Sequence, residues 1–211
     1  IAWNPYTRTL FISGETDNCI KEYTTDGQLT GRQLQAPLLF SRLSGNYGLE
    51  SLCYDAGAHR YYTISERPAR GDSLLRLTAF NDSGRVVAQY AYALDCVRPK
   101  RKGTLLNGVS ELCAVGDGCL LVLERTLRVP PLKIGSYAEC RLYIVEPEAG
   151  GQPLTKHHLY TFRTHINLLR RNFANYEGLC QPAPNLLLLI ADSQNRYKGF
   201  LRDWFLVLKM E

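Results

Sequence analysis

The sequence lacks any long apolar run, and this absence argues against a membrane-spanning helix. No stretch approaches the roughly 20 apolar residues that such a helix needs, and the opening residues, IAWNPYTRTLFISGE, do not have the pattern of a signal peptide. The formal net charge is only +5 over 211 residues, which permits an anionic ligand but does not indicate a nucleic-acid partner. The densest basic stretch, residues 98–103, adjoins turn-forming residues and is typical of a solvated loop.

Several catalytic and metal-binding motifs are also missing. The chain contains no GxSxG, HExxH or GxxxxGK[ST] motif and no Cys-x-x-Cys pair, which argues against a serine hydrolase, a zincin, a P-loop enzyme and a thiolate zinc site. Its seven cysteines are an odd number without the regular spacing of a disulfide framework. Cys53, Cys113 and Cys180 recur at one place in a repeat, so they are predicted to be small, buried apolar side chains.

What the chain does contain is an internal repeat. The segments ESLCYD (50–55), SELCAV (110–115) and EGLCQP (177–182) align on a Leu-Cys pair, and IAWNP at the start fits the same frame. After a turn, each unit continues with an apolar, β-rich run that ends in an acidic residue. A third β-rich run follows in all four units and a fourth in three of them, with Asp-Gly, Ser-Gly or Gly-Gly turns after the third run. The four terminal acids are Glu15, Glu66, Glu124 and Asp192.

This repeat predicts an all-β chain, a β-propeller built from four-stranded antiparallel blades. About four blades are represented in a single propeller domain, at approximately residues 1–40, 46–97, 107–164 and 174–211. The first unit begins inside its inner strand and the last stops after its third strand, so one or more N-terminal blades are expected upstream of this sequence. A β-sandwich with coincidental similarity is the alternative fold. One short helix is expected within residues 165–176.

The acids at the ends of the repeated strands are the candidate functional groups. In an antiparallel pair the start of the first strand lies beside the end of the second, so Glu50 should neighbour Glu66, and Glu177 should neighbour Asp192, at one mouth of the central channel. Confined carboxylates raise one another's pKa, recruit a cation or pair with arginines. Oxygen ligands are typical of Ca²⁺ or Mg²⁺ rather than zinc. A purely structural role, in which the acids hold the blades together, stays open. The asparagines expected near the same mouth are Asn46, Asn107, Asn175 and Asn195.

The stretches GLESLCYD…YYTISER, NGVSELCAV…LLVLER and NYEGLC…LLLIADSQNRYKGFLRDWF resemble the phytase-like propeller family, which is also described as "esterase-like activity of phytase". The resemblance covers nearly the whole chain. It implies an exported bacterial protein, periplasmic or secreted, that hydrolyses phosphoesters or esters at a calcium-lined acidic channel mouth. Ser110 replaces the acid in one blade. The calcium ligands that the resemblance implies are Glu15, Glu50, Glu66, Glu124, Glu177 and Asp192.

The leading hypothesis from the sequence is a metal-dependent phosphoesterase or esterase. It takes a small anionic substrate such as a phosphate ester, and Ca²⁺ is its expected cofactor. One alternative is a non-catalytic propeller that binds a ligand or a protein, and another is a calcium-dependent hydrolase of the lactonase type. The predicted catalytic groups are Glu50, Glu66, Glu177 and Asp192, and the predicted substrate-binding groups are Arg67, Arg125, Arg196 and Lys198.

Overall fold

The computed structural model describes residues 1–14, 16–43, 48–96, 102–132, 134–165, 173–192 and 202–210. Within these ranges the chain is all-β, with fifteen strands and two short 3₁₀ helices, Leu38–Arg42 and Pro147–Ala149. In the same ranges, no helix has the length and apolar character needed to span a bilayer. The helix expected in residues 165–176 falls mostly outside the described residues.

The strands form four antiparallel sheets, each made from consecutive strands of the chain. The first sheet contains β1 (Ala2–Asn4), β2 (Thr9–Ser13), β3 (Ile20–Tyr23) and β4 (Leu29–Gln33). The second contains β5 (Ser51–Asp55), β6 (Arg60–Ile64), β7 (Leu75–Asn81) and β8 (Val86–Tyr92). The third contains β9 (Thr104–Gly116), β10 (Cys119–Val129), β11 (Tyr137–Val145) and β12 (Lys156–His165). The fourth contains β13 (Tyr176–Ala183), β14 (Leu186–Ala191) and β15 (Phe205–Lys209).

The first turn of the first two sheets is built in the same way. Asn4 Oδ1 accepts hydrogen bonds from the backbone N–H groups two and three residues later, at 2.9 and 3.2 Å. Asp55 Oδ1 does the same at 2.9 and 3.1 Å. Arg8 and His59, four residues after these caps, both have a positive φ. Asn and Asp stabilise such turns by bonding their own downstream backbone, so the repeat extends to the chemistry of its loops.

Three apolar cores join the four sheets face to face. The first lies between sheets one and two and includes Phe11, Leu52 and Tyr61. The second lies between sheets two and three, where Tyr62 and Val122 are buried. The third lies between sheets three and four and contains residues such as Leu123, Leu179 and Leu189. Each central sheet therefore buries both of its faces, because alternate side chains along a strand point to opposite sides.

This arrangement confirms the β-propeller prediction: the four sheets are blades, and β1, β5, β9 and β13 are their inner strands. The prediction that the three repeated cysteines are all buried is correct for Cys53 and Cys113 and wrong for Cys180, which is exposed. Leu179 points toward blade three, so Cys180 points to the opposite face of blade four. No described blade covers that face.

Candidate functional site

The side chains at one end of the inner strands gather around a single arginine. Arg125, the seventh of the 11 residues of β10, donates from Nη2 to Glu66 Oε1 at 3.0 Å and from Nη1 to Glu177 Oε1 at 2.6 Å. Nη1 also donates to Asn175 Oδ1 at 3.0 Å, and the Asn175 amide donates in turn to Glu177 Oε1. These four residues, from blades two, three and four, are called the Arg125 cluster below.

Burial of the cluster is uneven. The side chain of Arg125 is 12% exposed, that of Glu66 is 5% exposed and that of Glu177 is 26% exposed. Ion pairs withdrawn from water in this way are screened less than surface pairs. Glu177 is therefore the carboxylate of the cluster that solvent or a ligand can reach most readily.

Burial and the neighbouring charges shift the pKa values of Arg125 and Glu177. Burial opposes the charge of Arg125, but Glu177, Glu66 and Glu50 together outweigh it and raise the pKa of the guanidinium. Burial also raises the pKa of Glu177; Arg125 opposes this rise and Asp192 adds to it. Glu177 is consequently a stronger base than an exposed glutamate while it remains bonded to a fixed cation.

The strand registers explain how the predicted acids reach this end of the propeller. Ser51 pairs with Ile64, so Glu50 and Glu66 lie just beyond the paired ends of β5 and β6. Tyr176 pairs with Ala191, which places Glu177 and Asp192 at the corresponding end of blade four. The two neighbouring pairs that the sequence predicts are therefore present. The backbone N–H of Asp192 donates to the carbonyl of Asn175, a member of the cluster, at 3.2 Å. Glu50 raises the pKa of Arg125 and Asp192 raises the pKa of Glu177, in agreement with positions beside the cluster.

Glu124 does not join these acids, and the expectation that it faces the channel mouth is wrong. Its carboxylate is 1% exposed and lies between blades two and three. Tyr92 Oη donates to Oε1 at 2.8 Å, the ammonium of Lys156 donates to the same oxygen, and the backbone N–H of Asp95 donates to Oε2 at 3.1 Å. Arg125, its chain neighbour, points to the other face of the sheet and enters the cluster instead.

The physical reason is a slip of one residue in the alternation of side chains. In blade two, Tyr62 and Ile64 face blade three, and Glu66 continues that series. In blade three, Leu121 and Leu123 face blade four, and the residue that continues that series is Arg125. Aligning the two blades on their terminal acids therefore shifts the register by one, and a one-residue shift moves every side chain to the opposite face.

A bulge on the inner strand of blade three accompanies this difference. Leu123 pairs with Glu111 but Glu124 pairs with Val109, so Ser110 is the additional residue. Ser110 is buried and its hydroxyl donates to the Leu123 carbonyl at 3.3 Å. Glu111 is buried beside β5, and its Oε1 accepts from the backbone N–H groups of Leu52 (3.2 Å) and Leu112 (2.9 Å). Burial raises the pKa of Glu111 to about 7.

A cavity of about 280 Å³ lies beside the cluster, between blades two and three. Arg67, which directly follows Glu66, and Asn107 both contribute to its wall. Gly108 packs directly against Glu66, since an added Cβ there would stand 2.6 Å from Glu66 Cγ. The structure therefore places Arg67 next to the cluster but outside it. Glu15, Arg196 and Lys198 lie outside the described residues, as do Asn46 and Asn195.

The arrangement does not fit a calcium ion held by the cluster. Glu66 and Glu177 each use Oε1 on the guanidinium of Arg125, so a fixed organic cation already occupies the position between them. Across the described ranges, no three His, Cys, Asp or Glu side chains converge in a way that could hold a metal. The predicted contribution of Glu15 to a metal site stays a prediction.

Comparison with known proteins identifies a family. A family model described as "Phytase-like: Esterase-like activity of phytase" matches residues 1–193, which include the Arg125 cluster and the cavity beside it. No curated protein matches the chain.

Proposed function

Because the chain belongs to the phytase-like family, we propose that it is a hydrolase of esters, phosphate esters included, and that the bond is cleaved at the Arg125 cluster. The observation that carries the proposal is the bonding of the partly exposed Glu177 to a buried guanidinium. A basic carboxylate beside a preorganised positive charge can activate water and stabilise the oxyanion that develops during ester hydrolysis.

Each member of the cluster has a role in this proposal. The carboxylate of Glu177, made more basic by burial, accepts a proton from water, and the water oxygen bonds to the carbonyl carbon or phosphorus. Arg125 stabilises the negative charge that develops on the ester oxygen. The bond to the alcohol oxygen then breaks, and Glu177 returns the proton to the leaving alcohol. Asn175 and Glu66 are positioning residues, because each holds the guanidinium from a different blade.

Calcium has no step in this scheme. The metal-dependent form of the hypothesis counts Glu66 and Glu177 among its six candidate ligands, and both carboxylates bind Arg125. The proposed reaction therefore uses the guanidinium where the family resemblance implies a metal ion.

A non-catalytic binding propeller is the second candidate, and one observation favours it. The contacts among Glu66, Arg125 and Glu177 connect three blades, which is also what a purely structural ion-pair network would do. In that case the cluster holds the fold together, and ligands bind elsewhere on the propeller.

Substitution of Glu177 distinguishes the two candidates. Glu177→Gln keeps the shape of the side chain but removes its basicity, whereas Glu148→Gln alters a carboxylate that is 59% exposed and pairs with Arg60. Hydrolysis of 4-nitrophenyl acetate, 4-nitrophenyl phosphate, phytate and a lactone is followed for each protein. We expect turnover of at least one ester by the unmodified protein, a loss of about 100-fold or more in Glu177→Gln, and no change in Glu148→Gln. Unchanged turnover in Glu177→Gln, or no turnover at all by the unmodified protein, would contradict the proposal.

A further inference from the structure

The cavity between blades two and three is mainly apolar. Leu74, Leu94 and Leu105 are half-buried around it, and Arg67 is the charged residue among the described residues of its wall. Half-buried leucines around a concave space give an apolar group somewhere to leave water, and pockets of this kind bind the apolar part of a ligand while a few polar groups orient it.

The cavity and the Arg125 cluster are lined by neighbouring residues of the chain. Asn107 lines the cavity and accepts a hydrogen bond from Thr126, the residue that follows Arg125, at 2.7 Å. On the other side, Arg67 lines the cavity and directly follows Glu66. One ligand can therefore place an apolar group in the cavity while its polar head lies near the cluster.

The volume limits the size of that apolar group. An apolar cavity of about 150 Å³ is enough to hold benzene, so the observed 280 Å³ accommodates one aromatic ring or a short acyl chain. A large ligand that carries charge on every side does not match such a space.

The charged residues around the Arg125 cluster also disfavour a highly charged ligand. Among the described residues, the carboxylates of Glu50, Glu66, Glu177 and Asp192 lie at or beside the cluster, where the cations are Arg125 and the neighbouring Arg67. This excess of carboxylates over cations in the described part of the site disfavours a polyanion. It is compatible with a neutral or weakly charged ester, whose negative charge develops only in the transition state.

From these observations we infer that the site selects small esters with one aromatic ring or a short acyl chain, held in the cavity between blades two and three, and discriminates against multiply phosphorylated substrates. This inference rests on the proposed hydrolase function, because it names the substrate class of the same site.

Binding of a stable analogue tests the inference without requiring turnover. Acetanilide is the amide counterpart of phenyl acetate, and acetamide lacks the ring. Dissociation constants for acetanilide, acetamide and phytate are measured by ligand-observed NMR. We expect acetanilide to bind at least tenfold more tightly than acetamide, and phytate to bind more weakly than acetanilide. Equal affinities for acetanilide and acetamide, or a preference for phytate, would overturn the inference.

Two tryptophan substitutions locate the binding site. Leu105→Trp fills the cavity from strand β9, and Leu29→Trp places the same side chain at a strand position that is 62% exposed on blade one. We expect Leu105→Trp to weaken acetanilide at least fivefold and Leu29→Trp to leave it unchanged. If Leu105→Trp does not fold, Ser73→Trp at the exposed edge of the cavity takes its place. Unaltered acetanilide binding in the folded cavity variant refutes the assignment.

The outcomes separate this inference from the proposed function. Ester hydrolysis without a preference for the ring leaves the hydrolase proposal standing and removes the substrate class. Ring-dependent binding in the cavity without any ester hydrolysis removes the hydrolase proposal and keeps the binding site.

Discussion

Replacing Arg125 with methionine should destabilise the protein strongly, and most strongly at high pH. Methionine retains much of the apolar bulk of the side chain but removes the charge that holds Glu66 and Glu177. Breaking a buried ion pair by removing one partner costs about 3–5 kcal/mol, because the remaining charge is buried without compensation. Glu66 is only 5% exposed, so we expect it to account for most of the loss, whereas Glu177 is 26% exposed and contributes less.

The destabilisation caused by Arg125→Met should increase as pH rises. Burial raises the pKa of Glu177, and Arg125 opposes this rise. Removal of Arg125 therefore leaves a carboxylate whose neutral form is tolerated at low pH and whose ionisation opposes folding as pH rises. The difference from the unmodified protein should therefore be small near pH 4–5 and approach its full size near pH 8. The added substitution Glu66→Gln should restore part of the lost stability at pH 8, because it removes the buried charge that Arg125 balances in the unmodified protein.

Urea denaturation at both pH values measures these differences as free energies of unfolding. The control is Arg60→Met, which breaks an ion pair whose partners are 30% and 59% exposed and should cost about 0–1 kcal/mol. This explanation is refuted if Arg125→Met loses no more free energy of unfolding than Arg60→Met at pH 8, or if the loss in Arg125→Met does not depend on pH.

Three further predictions concern residues around the cluster. Burial raises the pKa of Glu111 to about 7, so the stabilising contribution of its neutral carboxyl is complete below about pH 4 and is lost as pH rises through 7. The Glu111→Gln protein should therefore be more stable than the unmodified protein by up to about 3 kcal/mol at pH 8. At pH 4 the two proteins should have the same free energy of unfolding in urea titrations. Gly108→Ala places a methyl group 2.6 Å from Glu66 Cγ and should cost about 1–3 kcal/mol, which a lower thermal midpoint would reveal. Lys156→Met leaves the Glu124 carboxylate buried without its ammonium partner and should cost about 3 kcal/mol or more at pH 7; a loss below 1 kcal/mol in urea titration contradicts this role.

The sequence predicts the blades well because their determinants are local. Leu-Cys marks, turn residues such as Asn4 and Asp55, and short β-rich runs recur within each unit, and each acts over a few residues. The neighbouring positions of Glu50 and Glu66 follow from antiparallel pairing alone.

The composition of the site could not be read in the same way. The run LLVL before Glu124 is apolar on both faces, because blade three is covered on both sides, so it carries no visible period of two. The neighbouring sequence therefore does not distinguish whether Glu124 or Arg125 joins Glu66 and Glu177 in the cluster. The contact that decides the site joins Arg125 to Glu66, 59 residues apart, and depends on how two blades pack.

The cavity is a second feature that the sequence does not reveal. Arg67, one of the predicted substrate-binding residues, lines a cavity next to the cluster, and its binding of substrate stays a prediction. The leucines around that cavity belong to different strands and loops, so their half-buried surfaces have no common sequence signature.

The effect of a chelator on ester hydrolysis tests the central claim most directly. Initial rates of 4-nitrophenyl acetate hydrolysis are measured in EDTA and then in excess calcium. Because Arg125 supplies the positive charge between Glu66 and Glu177, the account predicts hydrolysis at the same rate in both conditions. A rate that disappears in EDTA and returns with calcium would contradict it.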